Sequence, residues 1–496
     1  MRGPRRAVVI GAGLGGLATA IRLLALGLDV TVVERAPAPG GRAARLVDRG
    51  YTWDTGPSLI TMPWLLDELL AVAGRDAARE LTLRPLDPFY RLLWPEDGVT
   101  LDFAGDRERL RDAVAALSPA DAANLDGFLD ASRRIHERAV LVAGRQAFER
   151  PSQFLRLLPA MLRLRAAGNL AAFTSRYLSE PHVHQAFSFH SLYVGGDPFR
   201  VPAVYAALAY LQLADGVWYA DGGTYAVVEA LVRAIEGGGG RVVCDDGAEE
   251  ILVRGGRAVA VRCASGAVHP AEVVVSNADA VRTRTRLLRG APDTLPWRLR
   301  GPRNSMSCLL LYLGCRRRFP ALLHHTLVAG PGYRRFVDDV TRRHRLPSTV
   351  SLYVHAPVRT EEAMAPPGGD SLAVLLPVPN LASGDDWDRI GDAWRDRVVR
   401  YLEEDAGLDG LEASIEVEHR MTPLDFLRRF DADEGNAFGT EPLLTRSAYF
   451  RQPNRDRTVR GLYHVGAGVH PGAGVPGVLL SAEVTGGLVQ RDLRRG

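Results

Sequence analysis

The sequence predicts an α/β fold: a Rossmann-like dinucleotide-binding domain interrupted by an inserted α+β domain. Three observations predict it. A complete βαβ start runs from Val8 to Glu34. A strand, a glycine-rich loop and a helix recur at the other end, from Gly461 to Leu488. Between them the buried-strand pattern of the nucleotide unit is left and then regained, most clearly at Val273-Val274-Val275-Ser276-Asn277.

The first element is the short apolar run Ala7-Val8-Val9-Ile10, the pattern of a strand covered on both faces. It breaks into Gly11-x-Gly13-x-x-Gly16, and a helical pattern follows with Leu17, Ile21, Leu24 and Leu28 on one side. A second apolar run, Val30 to Val33, ends in Glu34. Gly11 permits the tight turn, Gly13 lets backbone approach a pyrophosphate, and Gly16 lets the helix pack on the sheet. The helix N-terminus offers free N–H groups to the phosphates. Glu34, about 20 residues on, stands where a carboxylate accepts ribose hydroxyls. A carboxylate there also repels a 2′-phosphate, which disfavours NADP. These residues alone allow FAD or NAD.

Bulk properties narrow the class. The chain has 496 residues, 46% of them hydrophobic, enough for two or three domains. A net charge of +3 gives no reason to expect a nucleic-acid partner. All 61 basic residues are Arg, so Schiff-base chemistry through a side-chain amine is excluded. The four cysteines, Cys244, Cys263, Cys308 and Cys315, show neither CxxC nor zinc spacing with histidine, as expected of a reduced cytoplasmic interior with no bound metal. The basic residues and apolar run of Met1 to Ala12 superficially resemble a signal peptide, but the glycines and the βαβ context argue against one. There is no run of 18 apolar residues that could span a membrane as a helix.

Along the chain, Arg35 and Pro39-Gly40-Gly41-Arg42 follow the ribose acid, and the glycine pair with Arg suits contacts to a bound dinucleotide. Tyr51 to Pro57 reads as an extended segment ending in a turn. From Arg107 to Ala147 the pattern is helical, rich in Ala, Leu and charge. From Pro151 it changes: Phe154, Leu157, Leu158, Met161 and Leu162 recur at helical spacing with Arg156, Arg163 and Arg165 interleaved. Such a segment lies either in a membrane interface or with its apolar face in the core, and Pro159 argues against one straight helix. An aromatic, turn-rich stretch runs from Ala186 to Phe199. A helix at Tyr225–Ile235, a strand at Arg241–Cys244, a hairpin from Glu250 to Val261 and the strand before Asn277 then return to the nucleotide domain. Ser307–Leu313, Thr349–His355 and Leu372–Val378 are strand candidates of the inserted domain, and Asp386–Glu404 is a charged amphipathic helix. The predicted blocks are 1–106, 217–286 and 452–496 for the nucleotide unit, 107–216 for a helical insertion, and 287–451 for a sheet with helices.

The C-terminal loop holds a second literal GxGxxG at Gly472, Gly474 and Gly477. It is not read as a second dinucleotide site, because Pro476 removes a donor and neither a second strand nor a ribose acid follows. Its glycines instead let backbone pass close to a flat ring system, with the next helix aiming its positive end at that ring.

The βαβ start, Gly40-Gly41-Arg42 and Asp54-Thr55-Gly56-Pro57 together resemble the flavoprotein superfamily of amine oxidases and carotenoid desaturases. Within it the chain resembles bacterial and fungal phytoene desaturases over nearly its whole length, on GAGLGGLA, GGRA, DTGPSLITMP, AFSFHSLYVGGDPF, GVWYADGGTYAVVEALV, SNAD, SLYVHAP, LLPVPNL, EPLLTRSAYFRQPNRD and LYHVGAGVHPGAGVPGVLLSAE. The resemblance implies the two-domain architecture of amine oxidases and GDI, FAD as cofactor and a C40 polyene as substrate. It also implies docking of 107–216 to the inner face of the cell membrane. The cofactor would be met by Gly11, Gly13, Leu14, Gly15 and Gly16, by Glu34, Arg35, Gly41 and Arg42, and by Gly56, Pro57 and Ser58. Ala248 and Asn277 would join them, with Gly466, Gly468, Gly474, Val475 and Pro476 from the last loop.

The reaction implied is dehydrogenation of a CH–CH pair beside a double bond, with hydride transfer to flavin N5 and electrons leaving to a quinone or oxygen. Arg156 and His470 are the catalytic candidates. Some relatives carry a carboxylate about one helical turn before this Arg; here Gln153 stands there, leaving Glu149 and Asp197 as substitutes. His190 and His355 also sit in family-like motifs, but a lone His is more often structural. The rivals are a desaturase, isomerase or saturase of a hydroxylated or C30 polyene, an amine oxidase, and a prenyl-binding carrier as in Rab escort-type proteins. Whether the chain forms a homo-oligomer is left open.

Overall fold

The computed structural model describes residues 5–289 and 304–495. The stretch 290–303, which falls in the block 287–451, lies outside the described residues. Among the described residues, five parallel strands form the first sheet in the order Leu462–His464, Val273–Ser276, Arg6–Ile10, Asp29–Val33 and Arg241–Val243. The N-terminal strand is thus the middle one, and its residues from Ala7 to Ile10 are buried. That is why its sequence is continuously apolar rather than alternating.

The two ends of the chain share one core. Leu17 and Ile21, from the helix Leu14–Ala25, belong to the same cluster as Leu480 and Leu488, from the helix Val475–Arg495. The helix Tyr225–Gly237 completes this layer. It is capped from outside: the Asp54 carboxylate accepts from Thr224 N (2.9 Å) and Tyr225 N (3.3 Å).

The second sheet has seven strands among the described residues: Ile415–Met421, Ser307–Cys315, Asp370–Val378, Leu352–His355, His325–Val328, Tyr90–Trp94 and Val99–Phe103, in that order. Every residue of Ser307–Cys315 is buried, since helices and loops cover both faces. The helix Trp387–Glu404 docks Trp387, Trp394, Val398 and Leu402 and leaves its charges outside. The last two strands correct the sequence-based boundary at 106. They lie within the first predicted nucleotide block, yet Tyr90–Trp94 pairs in parallel with His325–Val328 of the inserted domain. Local pattern identifies a strand but does not say which sheet it joins.

The helical insertion starts with Arg107–Leu117 and Pro119–Ala139, capped by Asp106 and Ser118. The basic amphipathic segment is two short helices, Pro151–Leu155 and Leu158–Arg163. Pro159 sits in the first turn of the second, where its missing N–H costs nothing.

Candidate active site

Between the two sheets and the helical insertion lies a cavity of about 880 Å³. Its polar end is built from the glycine loops. Gly11 takes a positive φ (+92°), which turns the chain from strand into helix. A Cβ on Gly16 would collide with Gly11 O, so only glycine allows the helix to start here. The N-cap Gly13 provides no side-chain cap, and the first turn holds no acid. The uncapped helix N-terminus therefore faces the cavity as an anion site.

Asn277 ties the two ends together. A Cβ on Gly13 would meet its Nδ2 at 3.0 Å, and a Cβ on Gly15 would meet its Oδ1 at 2.9 Å and Gly466 Cα at 3.2 Å. The first and last loops thus touch at one point, with Asn277 wedged between. Glu34 is buried, and its two oxygens accept from Ala12 N (2.7 Å) and Ala36 N (2.9 Å). Those bonds fix the carboxylate and use two of its roughly four lone-pair sites, leaving the others for a hydroxyl pair.

Of the residues expected to meet the cofactor, all but one line this cavity: Gly11, Gly13, Leu14, Gly15, Glu34, Arg35, Gly41, Arg42, Gly56, Pro57, Ser58, Ala248, Asn277, Gly466, Gly468, Gly474, Val475 and Pro476. Gly16 is not on the cavity wall; it packs against Gly11 O just behind it. Arg156 is exposed and lines the cavity beside Phe154, Leu157 and Met161. His470 lines it too, with its ring edge-on to Phe148 at 4.9 Å. Burial and the Arg451 charge push its pKa down to about 3, so it stands as a neutral imidazole.

The other proton-transfer candidates lie off the wall. Glu149 is not on the chamber wall and pairs with Arg455. Asp197 is buried and caps the turn at Phe199 N (2.8 Å). Gln153 spends its amide oxygen on Glu149 N and Arg150 N, both at 2.8 Å. His190 is buried against Tyr90 Oη (2.7 Å). His355 is buried at the end of the strand Leu352–His355.

Two wall residues escape the sequence reading. Arg451 is 3% exposed; its Nη2 donates to Ala467 O (2.6 Å), while Nε and Nη1 have no partner among the described residues. A Cβ on Gly472 would lie 3.5 Å from its guanidinium carbon, so the cation is packed against the last glycine loop. Burial lowers its pKa. Tyr353 also lines the cavity and places its hydroxyl 2.5 Å from Ser58 Oγ. Neither residue carries a local signal: one is an Arg in an ordinary loop, the other an aromatic in a strand.

A nucleotide cradle closed by both chain ends and continued by an apolar chamber defines a dinucleotide-dependent oxidoreductase with an enclosed, greasy substrate site. The chain belongs to the family of flavin containing amine oxidoreductases, whose profile matches residues 14–485. It is 41% identical over 493 residues to the phytoene desaturase (lycopene-forming) of Pseudescherichia vulneris, covering 99% of this chain and 100% of that protein. It is 38% identical to the phytoene desaturase (neurosporene-forming) of Cereibacter sphaeroides, over 97% of this chain and 93% of that one. Among solved structures it resembles an oxidoreductase from Methanosarcina mazei, with a TM-score of 0.67 at 19% identity over 96% of this chain and 98% of that one.

The cofactor is FAD, as the family match implies, and the residues present fit it. An uncapped helix N-terminus answers a pyrophosphate and a fixed carboxylate answers a ribose. Arg42, whose Nε has no partner among the described residues, and Arg451 supply buried positive charge along the wall. Among the described residues no helix is long and apolar enough to cross a membrane.

Proposed function

We propose that this chain is an FAD-dependent carotenoid desaturase that dehydrogenates phytoene stepwise, toward neurosporene or lycopene. One observation carries the reading: the nucleotide cradle opens directly into an apolar chamber walled by the helical insertion and the second sheet. Full-length similarity to phytoene desaturases supports the same substrate.

Bound FAD supplies the hydride acceptor for a CH–CH pair beside a double bond. The chain's own residues do the rest. Glu34 accepts the ribose hydroxyls, and the first turn of Leu14–Ala25 with Arg42 meets the pyrophosphate. The last loop would let backbone approach the ring, and the helix Val475–Arg495, which starts in that loop, would offer its positive end to it. Arg451 adds a charge against the same loop, favouring electron uptake at the ring. The apolar walls hold the polyene extended and exclude water.

The helices Pro151–Leu155 and Leu158–Arg163 form the mouth. Phe154, Leu157 and Met161 face the chamber, while Leu155 and Leu162 are 60% and 61% exposed. Exposed leucines beside Arg156, Arg163 and Arg165 suit a surface resting in the membrane that dissolves the substrate. Electrons pass on to a quinone or to oxygen, acceptors that such a mouth reaches from the membrane.

The experiment is anaerobic mixing of the flavin-loaded enzyme with phytoene in liposomes. Bleaching of the flavin together with new visible polyene bands is expected. No bleaching with phytoene, but bleaching with benzylamine, overturns the reading in favour of an amine oxidase.

A further inference from the structure

Behind the chamber wall, on the side of the second sheet, runs a chain of polar side chains. It begins on the wall with Ser58 and Tyr353. Tyr353 Oη also lies 2.7 Å from His325 Nδ1. His325 and His355 face each other across paired strands, their rings stacked at 5.3 Å. His355 Nε2 is 3.1 Å from His324 Nε2, and His324 Nδ1 is 2.6 Å from Thr360 Oγ1. The imidazoles are buried, whereas Thr360 is half-exposed and its carbonyl accepts from the exposed Arg84.

This is not how a structural core satisfies histidines. His325 Nε2 is buried with no partner among the described residues, which leaves a polar atom at full desolvation cost. The three rings bring nitrogen atoms within 4.8 Å of one another. The single break, between His325 and the other two rings, is short enough for one bridging water to span. A divalent cation would suit three imidazoles, but His355 Nε2 and His324 Nε2 are already hydrogen-bond partners and the Arg359 cation acts on His324.

We propose that Ser58, Tyr353, His325, His355, His324 and Thr360 form the exit path for the proton that desaturation releases, with the Tyr353 hydroxyl as its entry. The inference rests on the reaction proposed above. In that reaction one hydrogen leaves the CH–CH pair with both bonding electrons, for the cofactor. The other leaves its carbon as a proton, and its electron pair becomes the new π bond. That proton bonds to Tyr353 Oη as the tyrosine's own proton passes to His325 Nδ1. His325 then gives up its Nε2 proton toward His355 and His324, and Thr360 releases one to solvent. No charge stays in the wall; each imidazole crossed is left with its hydrogen on the other nitrogen, and reorientation of the rings restores the starting tautomers before the next turnover.

The electrostatics suit transit rather than storage. Burial pushes His355 down to about 3, and His324 and His325 fall well below the ordinary imidazole value for the same reason. The groups facing the path are Tyr219 and Arg359 beside His324, Asp54 and Tyr193 near Tyr353, and Glu361, which accepts from Tyr219 Oη at 2.7 Å. Arg359 makes His324 a poor resting place for a proton, which favours release at Thr360.

The test is anaerobic single turnover of the flavin-loaded enzyme with phytoene liposomes, in H2O and D2O and across pH. Tyr353→Phe removes one oxygen and His325→Gln removes the ring; flavin content and melting temperature report folding. Both variants are expected to bleach about 10²–10⁴-fold more slowly, with the solvent isotope effect reduced and the KM for phytoene unchanged. Because Tyr353→Phe keeps the packing, its isotope effect decides the matter if His325→Gln fails to fold. Wild-type rate and isotope effect in Tyr353→Phe overturn the path while leaving the substrate reading intact. Wild-type enzyme that does not bleach with phytoene overturns the reading itself and the path with it. Stoichiometric zinc in the purified holoenzyme also overturns the path, making the cluster a metal site.

Discussion

The contact between the first and last glycine loops can be broken by a single methyl group. Gly15→Ala puts a Cβ 2.9 Å from Asn277 Oδ1 and 3.2 Å from Gly466 Cα. Asn277 has little room to yield, because its Nδ2 already lies 3.5 Å from Gly11 O. Gly466 Cα is backbone, at a φ of +104° that only glycine adopts readily. The loops must therefore part by a few tenths of an ångström, at an overpacking cost of about 1–3 kcal/mol. Alanine's better helix propensity offsets up to about 1 kcal/mol of this in the free protein. The remainder, up to about 2 kcal/mol, falls on FAD binding and weakens it by up to roughly 30-fold. The control is Gly487→Ala on the C-terminal helix Val475–Arg495, where a Cβ meets nothing within 4 Å. It should stabilise the fold by about 1 kcal/mol and leave FAD affinity unchanged. Fluorescence titration of the apoprotein with FAD, paired with melting curves, measures both. Wild-type FAD affinity in Gly15→Ala, or an equal loss in Gly487→Ala, would refute the claim that the chain ends close the cradle together.

Three further outcomes are expected. Burial pushes the Asp54 carboxyl up to about 7, against two backbone N–H bonds. The folded protein then holds this proton where the unfolded chain has lost it, so the group's contribution to stability falls as pH rises from about 4 to 7 and is level above. Asp54→Asn should remove that slope, which urea unfolding at pH 5 and pH 8 detects; an unchanged slope refutes the assignment. The Asp456 carboxyl is held well below its ordinary range: burial opposes ionisation, but bonds from His464 (3.1 Å) and Thr458 outweigh it. Its stabilisation is present at neutral pH and lost on acidification through the carboxylate range. Asp456→Asn also strips the buried Arg284 of its partner (Nη1, 3.0 Å) and should cost about 3–5 kcal/mol at pH 7 by chemical denaturation. At the mouth, Leu155→Asp with Leu162→Asp should abolish co-sedimentation with liposomes while sparing FAD binding, since each inserted Leu contributes about 1.5–3 kcal/mol; undiminished sedimentation would remove these helices from the membrane.

The cradle was legible in the sequence because its constraints are local. Gly11 must turn at a positive φ, Gly16 must leave room for Gly11 O, and Gly466 must hold a φ of +104°, and each demand leaves a glycine in the text. The seven-stranded sheet was only partly legible. Leu92 and Leu93 look like strand residues, but their neighbours are Leu327 and Val328, and pairing across that distance along the chain leaves no local mark. Arg451 looks like any loop arginine until the last glycine loop is folded against it.

The histidines fail to show for a stricter reason. His355 is visible as a lone histidine in a strand, and nothing in its spacing from His325 says that the two are paired. Strand register decides it: His325 stands opposite His355, and Leu327 opposite Tyr353, so Tyr353 and His355 share one face with His325. A slip of one residue would send Tyr353 and His355 to the other face, and the same residues in the same order would then form no chain at all. The glycine signals report what one residue can do alone. The polar path exists only as a relation between strands, so its test has to be made on the folded protein.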